Sequence, residues 1–120
     1  MSKSIVNKQV LMNAITVAKK GTAYSTVRRF WDCDGSVALL VISTAGSIAI
    51  SQQCSLDGDS WYDPIASGAA VGIVGTGITV TTGLYITYTP VLTDYVRFKV
   101  VEADVAETIV TMTLVYLAAI

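Results

Sequence analysis

Residues 51–64 carry the feature that most restricts the fold. A β-prone segment, Ser51–Ser55, runs into Asp57-Gly58 and the chain leaves through Trp61 and Tyr62. Asp-Gly between two strand-like segments marks a tight hairpin, because glycine takes positive φ without strain and aspartate tolerates it. Similar punctuation recurs at Lys19–Gly21, at Asp32–Gly35 and at Ala45-Gly46. Between these turns the apolar pattern has period two. From Tyr95 to Glu102, Val96, Phe98 and Val100 fall on one face, and Tyr95, Arg97 and Lys99 on the other. That is a strand with one buried side.

Further strands are expected over 10–18, 22–31, 36–43, 47–55, 61–65, 78–82, 84–89 and 107–117, with a poor edge strand near 71–74 inside a glycine-rich stretch. The segment 36–43 is almost continuously apolar, the pattern of a strand covered on both sides. In 47–55, Ile48, Ile50, Gln52 and Cys54 share a face. A helix over 8–19 competes with the first strand, since Val10, Asn13, Ala14 and Val17 also share a helical face; Ile15, Thr16 and Val17 favour strand. Eight to ten short strands without a convincing helix give an all-β antiparallel sandwich, immunoglobulin-like or jelly-roll-like. Residues 1–9 are polar and read as an arm; residues 10–120 read as one sandwich domain.

Composition narrows the function. Apolar residues make up 52% of the 120 and charged residues 14%, against roughly 25% charged in a typical domain. Mean hydropathy is +0.59, yet no apolar run approaches the roughly 18 residues of a membrane helix. Residues 1–9 lack the apolar stretch of a secretory leader. The excess apolar surface therefore points to protein contacts. A net charge of −1 offers no footprint for nucleic acid or for an anionic membrane.

Histidine is absent, which removes His-based triads and most zinc and haem sites. The glycines at 72, 75 and 77 have neither the spacing nor the helix of a nucleotide-binding loop. Cys33 and Cys54 are too few for a disulfide scaffold, and their pairing stays open. Asp57, Asp59 and Asp63 are candidate calcium ligands, since hard oxygen donors at alternate positions suit that ion; ordinary turn chemistry is the competing reading. A glycosidase carboxylate pair finds little room for a sugar cleft in so small a sandwich. No cofactor is expected. Trp61 and Tyr62 are candidate sugar-stacking residues, with core packing as the alternative. Arg97 is a candidate partner for Asp57, Asp59 or Asp63.

The order of motifs carries a resemblance. The strand Gly35–Ser43, the turn Ser55–Trp61 with its Asp-Gly-x-x-Trp pattern, the segment Thr82–Tyr85, the Tyr95-Val96-Arg97 strand and a Thr/Val-rich last strand follow in turn. Together these resemble small β-sandwich structural proteins of tailed-phage and prophage virions. The resemblance covers roughly residues 35–117. It implies a non-enzymatic virion component, a capsid decoration (cement) protein or a neck or tail accessory subunit. Its partners would be copies of itself, as a trimer or another homo-oligomer, and other virion proteins such as the major capsid protein. Ile5 and Val6 of the arm and Ala118, Ala119 and Ile120 of the apolar final segment are the expected subunit contacts. The alternatives are a carbohydrate-binding or adhesion module on a tail or surface filament, and a filament subunit.

Overall fold

A computed structural model describes residues 4–29, 37–79 and 81–119. Trp31, Asp32, Cys33, Asp34, Gly35 and Ile120, named above, lie outside them. Eleven strands follow in order among the described residues. They are β1 (Ser4–Val17), β2 (Thr22–Tyr24), β3 (Arg28–Arg29), β4 (Val37–Ser43), β5 (Ile48–Ser55), β6 (Ile65–Ala66), β7 (Ala69–Ala70), β8 (Ile73–Ile78), β9 (Leu84–Tyr88), β10 (Tyr95–Glu102) and β11 (Thr108–Ala119). Their pairings are antiparallel. No helix is present among the described residues, so none is long and apolar enough to cross a membrane.

One sheet has the order β1-β11-β4-β9; the other has β2-β10-β5-β8, with β3 also on β10. β6 and β7 form a small separate hairpin. Leaving out the two-residue strands, the pairing is nested. The first strand pairs with the last, the second with the seventh, the third with the sixth and the fourth with the fifth. That is the wrapping of a jelly roll, the second of the two expected sandwich types.

Alternation explains the core. Val96, Phe98 and Val100 of β10 are fully buried, and so are Val110, Met112 and Leu114 of β11, Leu39 and Val41 of β4, and Ile48 and Ile50 of β5. The inner faces of both sheets thus fill one apolar layer. The ring of Phe98 meets Tyr88 edge-on, 5.9 Å between centroids, the arrangement that aromatic quadrupoles favour.

Several expectations change. Residues 4–9, expected as an arm, are the first half of β1 and pair with β11 as far as Ser4↔Ala119. The helix alternative over 8–19 is replaced by a bulged strand. Register shifts fall between Val10 and Met12 and between Met12 and Ile15, and Ala14 has φ 51°. The bulge turns both Leu11 and Met12 into the core and breaks the period-two pattern, which is why a helical face could be traced there. The expected strand at 61–65 shrinks to one Cys54↔Tyr62 bridge ahead of β6. The expected strand at 78–82 is displaced, since β8 already ends at Ile78.

Buried polar side chains hold the turns. Glu102 continues the inward face of β10 and is 1% exposed. Its carboxylate accepts N–H bonds from Lys20 (3.0 Å), Ser47 (3.0 Å) and Val105 (2.9 Å). These three donors belong to the β1–β2, β4–β5 and β10–β11 turns. Gly46, at φ +68°, makes room for it: a Cβ there would lie 2.7 Å from the Ala106 carbonyl and 2.9 Å from Glu102 Oε2. At the other end, the Gln52 carboxamide pairs with Val91 as a strand would, donating to its carbonyl at 2.9 Å and accepting from its N–H at 3.0 Å.

The Ser47 N–H, with those of Lys20, Val105 and Ala106, lowers the Glu102 pKa from 4.5 to about 2. A group depressed on folding stabilises the native state above its unfolded pKa and loses that effect as pH falls through the folded value. Glu102→Gln should therefore lower the urea midpoint at neutral pH. Its deficit against wild type should shrink between pH 4.5 and about 2. A deficit that stays constant across this window would show that the carboxylate charge is not what holds the turns.

Candidate interaction surfaces

The outward side of the β1-β11-β4-β9 sheet is apolar. Register places Tyr85, Leu40, Thr113 and Val10 in one row across its four strands, and Thr87, Ala38, Val115 and Lys8 in the next. Leu117 pairs with Val6 beyond them. Ile42 and Ile109 extend the surface the other way and are exposed, as are Leu40, Val10 and Tyr85. Among the described residues, Lys8 is the one charge at these paired outward positions. A shallow hollow of about 260 Å³ opens on this face between Val6, Ala38, Tyr85, Thr87, Val115 and Leu117. β4 is the telling strand: expected to be covered on both sides, it buries Val37, Leu39 and Val41 on its inner side and Ala38 on its outer side, but leaves Leu40 37% and Ile42 36% exposed.

The expected contact residues divide. Val6, 75% exposed, joins this apolar face. Ile5 pairs with Ala118 and so lies on the opposite side of the ribbon, the side of Tyr116, where it is half exposed. Ala119 pairs with Ser4.

The outward side of the second sheet is different in kind. Arg97 lies between two rings, 4.0 Å from the Tyr24 centroid and 4.5 Å from that of Trp61. Its Nε donates to Gln53 Oε1 at 2.8 Å, and Gln53 Nε2 donates to Asp63 Oδ1 at 3.0 Å. The expected pairing of Arg97 with an aspartate is thus a relay through Gln53 to Asp63. Lys99 is the next outward residue of β10, opposite Tyr24 and Ser51. Arg29 stacks on Tyr95, 5.1 Å from its centroid. This face is cationic and aromatic.

Trp61 and Tyr62 do not form a joint platform. Neighbours on extended backbone point to opposite sides. Trp61 covers Arg97, while Tyr62 pairs with Cys54 and borders a small hollow with Leu56 and Leu92. Cys54 there is a free thiol whose pKa is raised by burial. Nor do Asp57, Asp59 and Asp63 converge. Asp57 Oδ1 accepts from the N–H groups of Asp59 and Ser60 (2.9 Å each) and from the Ser55 hydroxyl (3.0 Å). The Ser60 N–H is the foremost cause of its lowered pKa. Asp63 is turned to Gln53 instead. Among the described residues no three His, Cys, Asp or Glu side chains are grouped as metal ligands, and turn bonding is what the Asp57 carboxylate does here.

No family model and no curated protein matches the sequence. The fold is similar to that of YomS, a protein derived from the SPBc2 prophage, with a TM-score of 0.56 and 12% identity over 96% of this chain and 96% of that one. At that identity the likeness shows a shared fold. The Yersinia pseudotuberculosis-derived mitogen scores 0.46 at 12% identity, over 97% of this chain and 86% of that one, too slight a likeness to bear on function.

Arg97→Met keeps most of the stem and removes the stacked cation. Two cation–π contacts at about 0.5–1 kcal/mol each and one charged hydrogen bond at about 1.5–3 kcal/mol give an expected loss of about 2.5–5 kcal/mol in urea unfolding. A loss below about 0.5 kcal/mol would show that the stack contributes little to stability.

Proposed function

We propose that this chain is a non-enzymatic structural subunit of a phage particle, working as a capsid decoration or as a neck or tail accessory piece. It packs the apolar face of the β1-β11-β4-β9 sheet against a second copy of itself, and meets other particle proteins in the assembly. The observation that carries this reading is β4, whose sequence is that of a doubly covered strand and whose outward Leu40 and Ile42 are exposed in the single chain, while the smaller Ala38 is buried. The four strands of this sheet span roughly 600 Å² at 3.3 Å per residue and 4.8 Å between strands. A standard interface takes about 800 Å² from each partner, so this face with its margins is of the right size. With a net charge of −1 per chain, copies repel one another little. The prophage origin of YomS supports the phage setting.

Sedimentation over a range of concentrations tests the contact. Wild type should associate, and Leu40→Lys combined with Ile42→Lys should sediment as a monomer with an unchanged far-ultraviolet circular dichroism spectrum. A wild type that stays monomeric at every concentration would remove the self-contact. Mass spectrometry of purified phage particles tests the wider role: the chain should be present in many copies per particle, and its absence would overturn the assignment.

A further inference from the structure

The second sheet carries a feature that subunit packing does not use. Arg97 is half-buried, held on both faces by rings and at Nε by Gln53. No acceptor among the described residues takes its two Nη groups. A guanidinium fixed in this way has lost its rotamer freedom before any ligand arrives, and its free edge presents paired N–H donors with carboxylate geometry. On the same face lies a hollow of about 190 Å³, walled by Ser51, Asp63, Pro64, Ala70, Ile73 and Lys99, with Arg97 outside its wall. Asp63 belongs to both, because it lines the hollow and anchors the Gln53 that holds Arg97. Lys99 stands on the same side of β10 as Arg97, two residues along.

The geometry points to a binding site for a carboxylate-bearing sugar, a hexuronic acid or a related acidic saccharide unit, on the outer face of the second sheet. Arg97 would take the carboxylate through its Nη edge, with Lys99 as the second positive charge. Ser51 and the second carboxylate oxygen of Asp63 would take hydroxyl groups, and Pro64, Ala70 and Ile73 would pack against the ring. Each class of side chain has a counterpart in such a ligand. A plain carboxylate leaves Asp63 and Ser51 unused, and a neutral sugar leaves two cations unused. The concave, part-apolar wall with a few convergent polar groups is the usual form of a small-ligand site. This site is independent of self-association, which uses the opposite face.

The test is titration of the full chain with glucuronate, glucose and acetate, followed by amide chemical shifts and by tryptophan fluorescence. Glucuronate should bind saturably, with a roughly millimolar dissociation constant for so small a ligand, and should shift the amides of Ser51, Asp63, Arg97 and Lys99. Glucose and acetate should each bind at least about tenfold more weakly. Arg97→Gln should weaken glucuronate by about ten- to a hundredfold, the range for losing hydrogen bonds to a charged group. If that variant unfolds, Lys99→Gln and Ser51→Val, both at half-buried surface positions, provide the same reading with smaller losses. Absence of saturable glucuronate binding would overturn the site. So would acetate binding as tightly as glucuronate, or glucuronate binding undiminished in the variants.

Discussion

One carboxylate does much to decide whether this jelly roll closes. Nested pairing brings several turns to one end of the sandwich, each with backbone N–H groups facing inward. Glu102 takes N–H groups from three of these turns at once. A buried charge is costly unless it is fully hydrogen-bonded, and here the backbone itself supplies the donors, with no cation required. The Ala106 carbonyl and the Glu102 carboxylate leave no space for a side chain at Gly46. At the opposite end the Gln52 carboxamide repeats the device with neutral groups, pairing both its ends to Val91. The apolar layer between the sheets drives collapse without direction; these two polar clasps give it a definite set of turns.

The two outward faces then differ for a simple reason. β10 alternates apolar with charged and aromatic residues, so its outer side is solvated and carries Arg97 and Lys99. β4 and β11 alternate large apolar residues with other apolar residues or threonine, so their outer side stays apolar. One chain thereby has one apolar outer face and one cationic, aromatic outer face. A subunit embedded by the first face would keep the second accessible.

The strands with a clean period of two were legible from residues alone. β10 has the expected limits, and β4, β5 and β11 lie within one or two residues of theirs. β1 was ambiguous because its bulge, with Ala14 at positive φ, inserts residues that disturb the alternation. The glycine-rich stretch, with its one poor edge strand expected near 71–74, contains β7 and most of β8, whose pairing with β5 is itself irregular. Glu102 was in view as a charge at the end of the face formed by Val96, Phe98 and Val100, a position where alternation alone would have signalled a buried acid. Gln53 gave no such sign, since its role depends on Arg97 across the register and on Asp63 beyond the turn.

The sequence by itself determined which segments are strands, where the chain turns and which side of each strand is apolar, because these follow from local backbone preferences and from a side-chain period of two. Only the tertiary structure decided the pairing order, because a strand's pattern fits many neighbours and the choice among them is made by packing over long separations. The same step set Trp61 and Tyr24 on either side of Arg97, turned Asp57 in on its own loop, and gathered three turns on Glu102. It also left Leu40 and Ile42 exposed on the outer side of β4, since burial depends on what else lies near and one strand's composition cannot specify that.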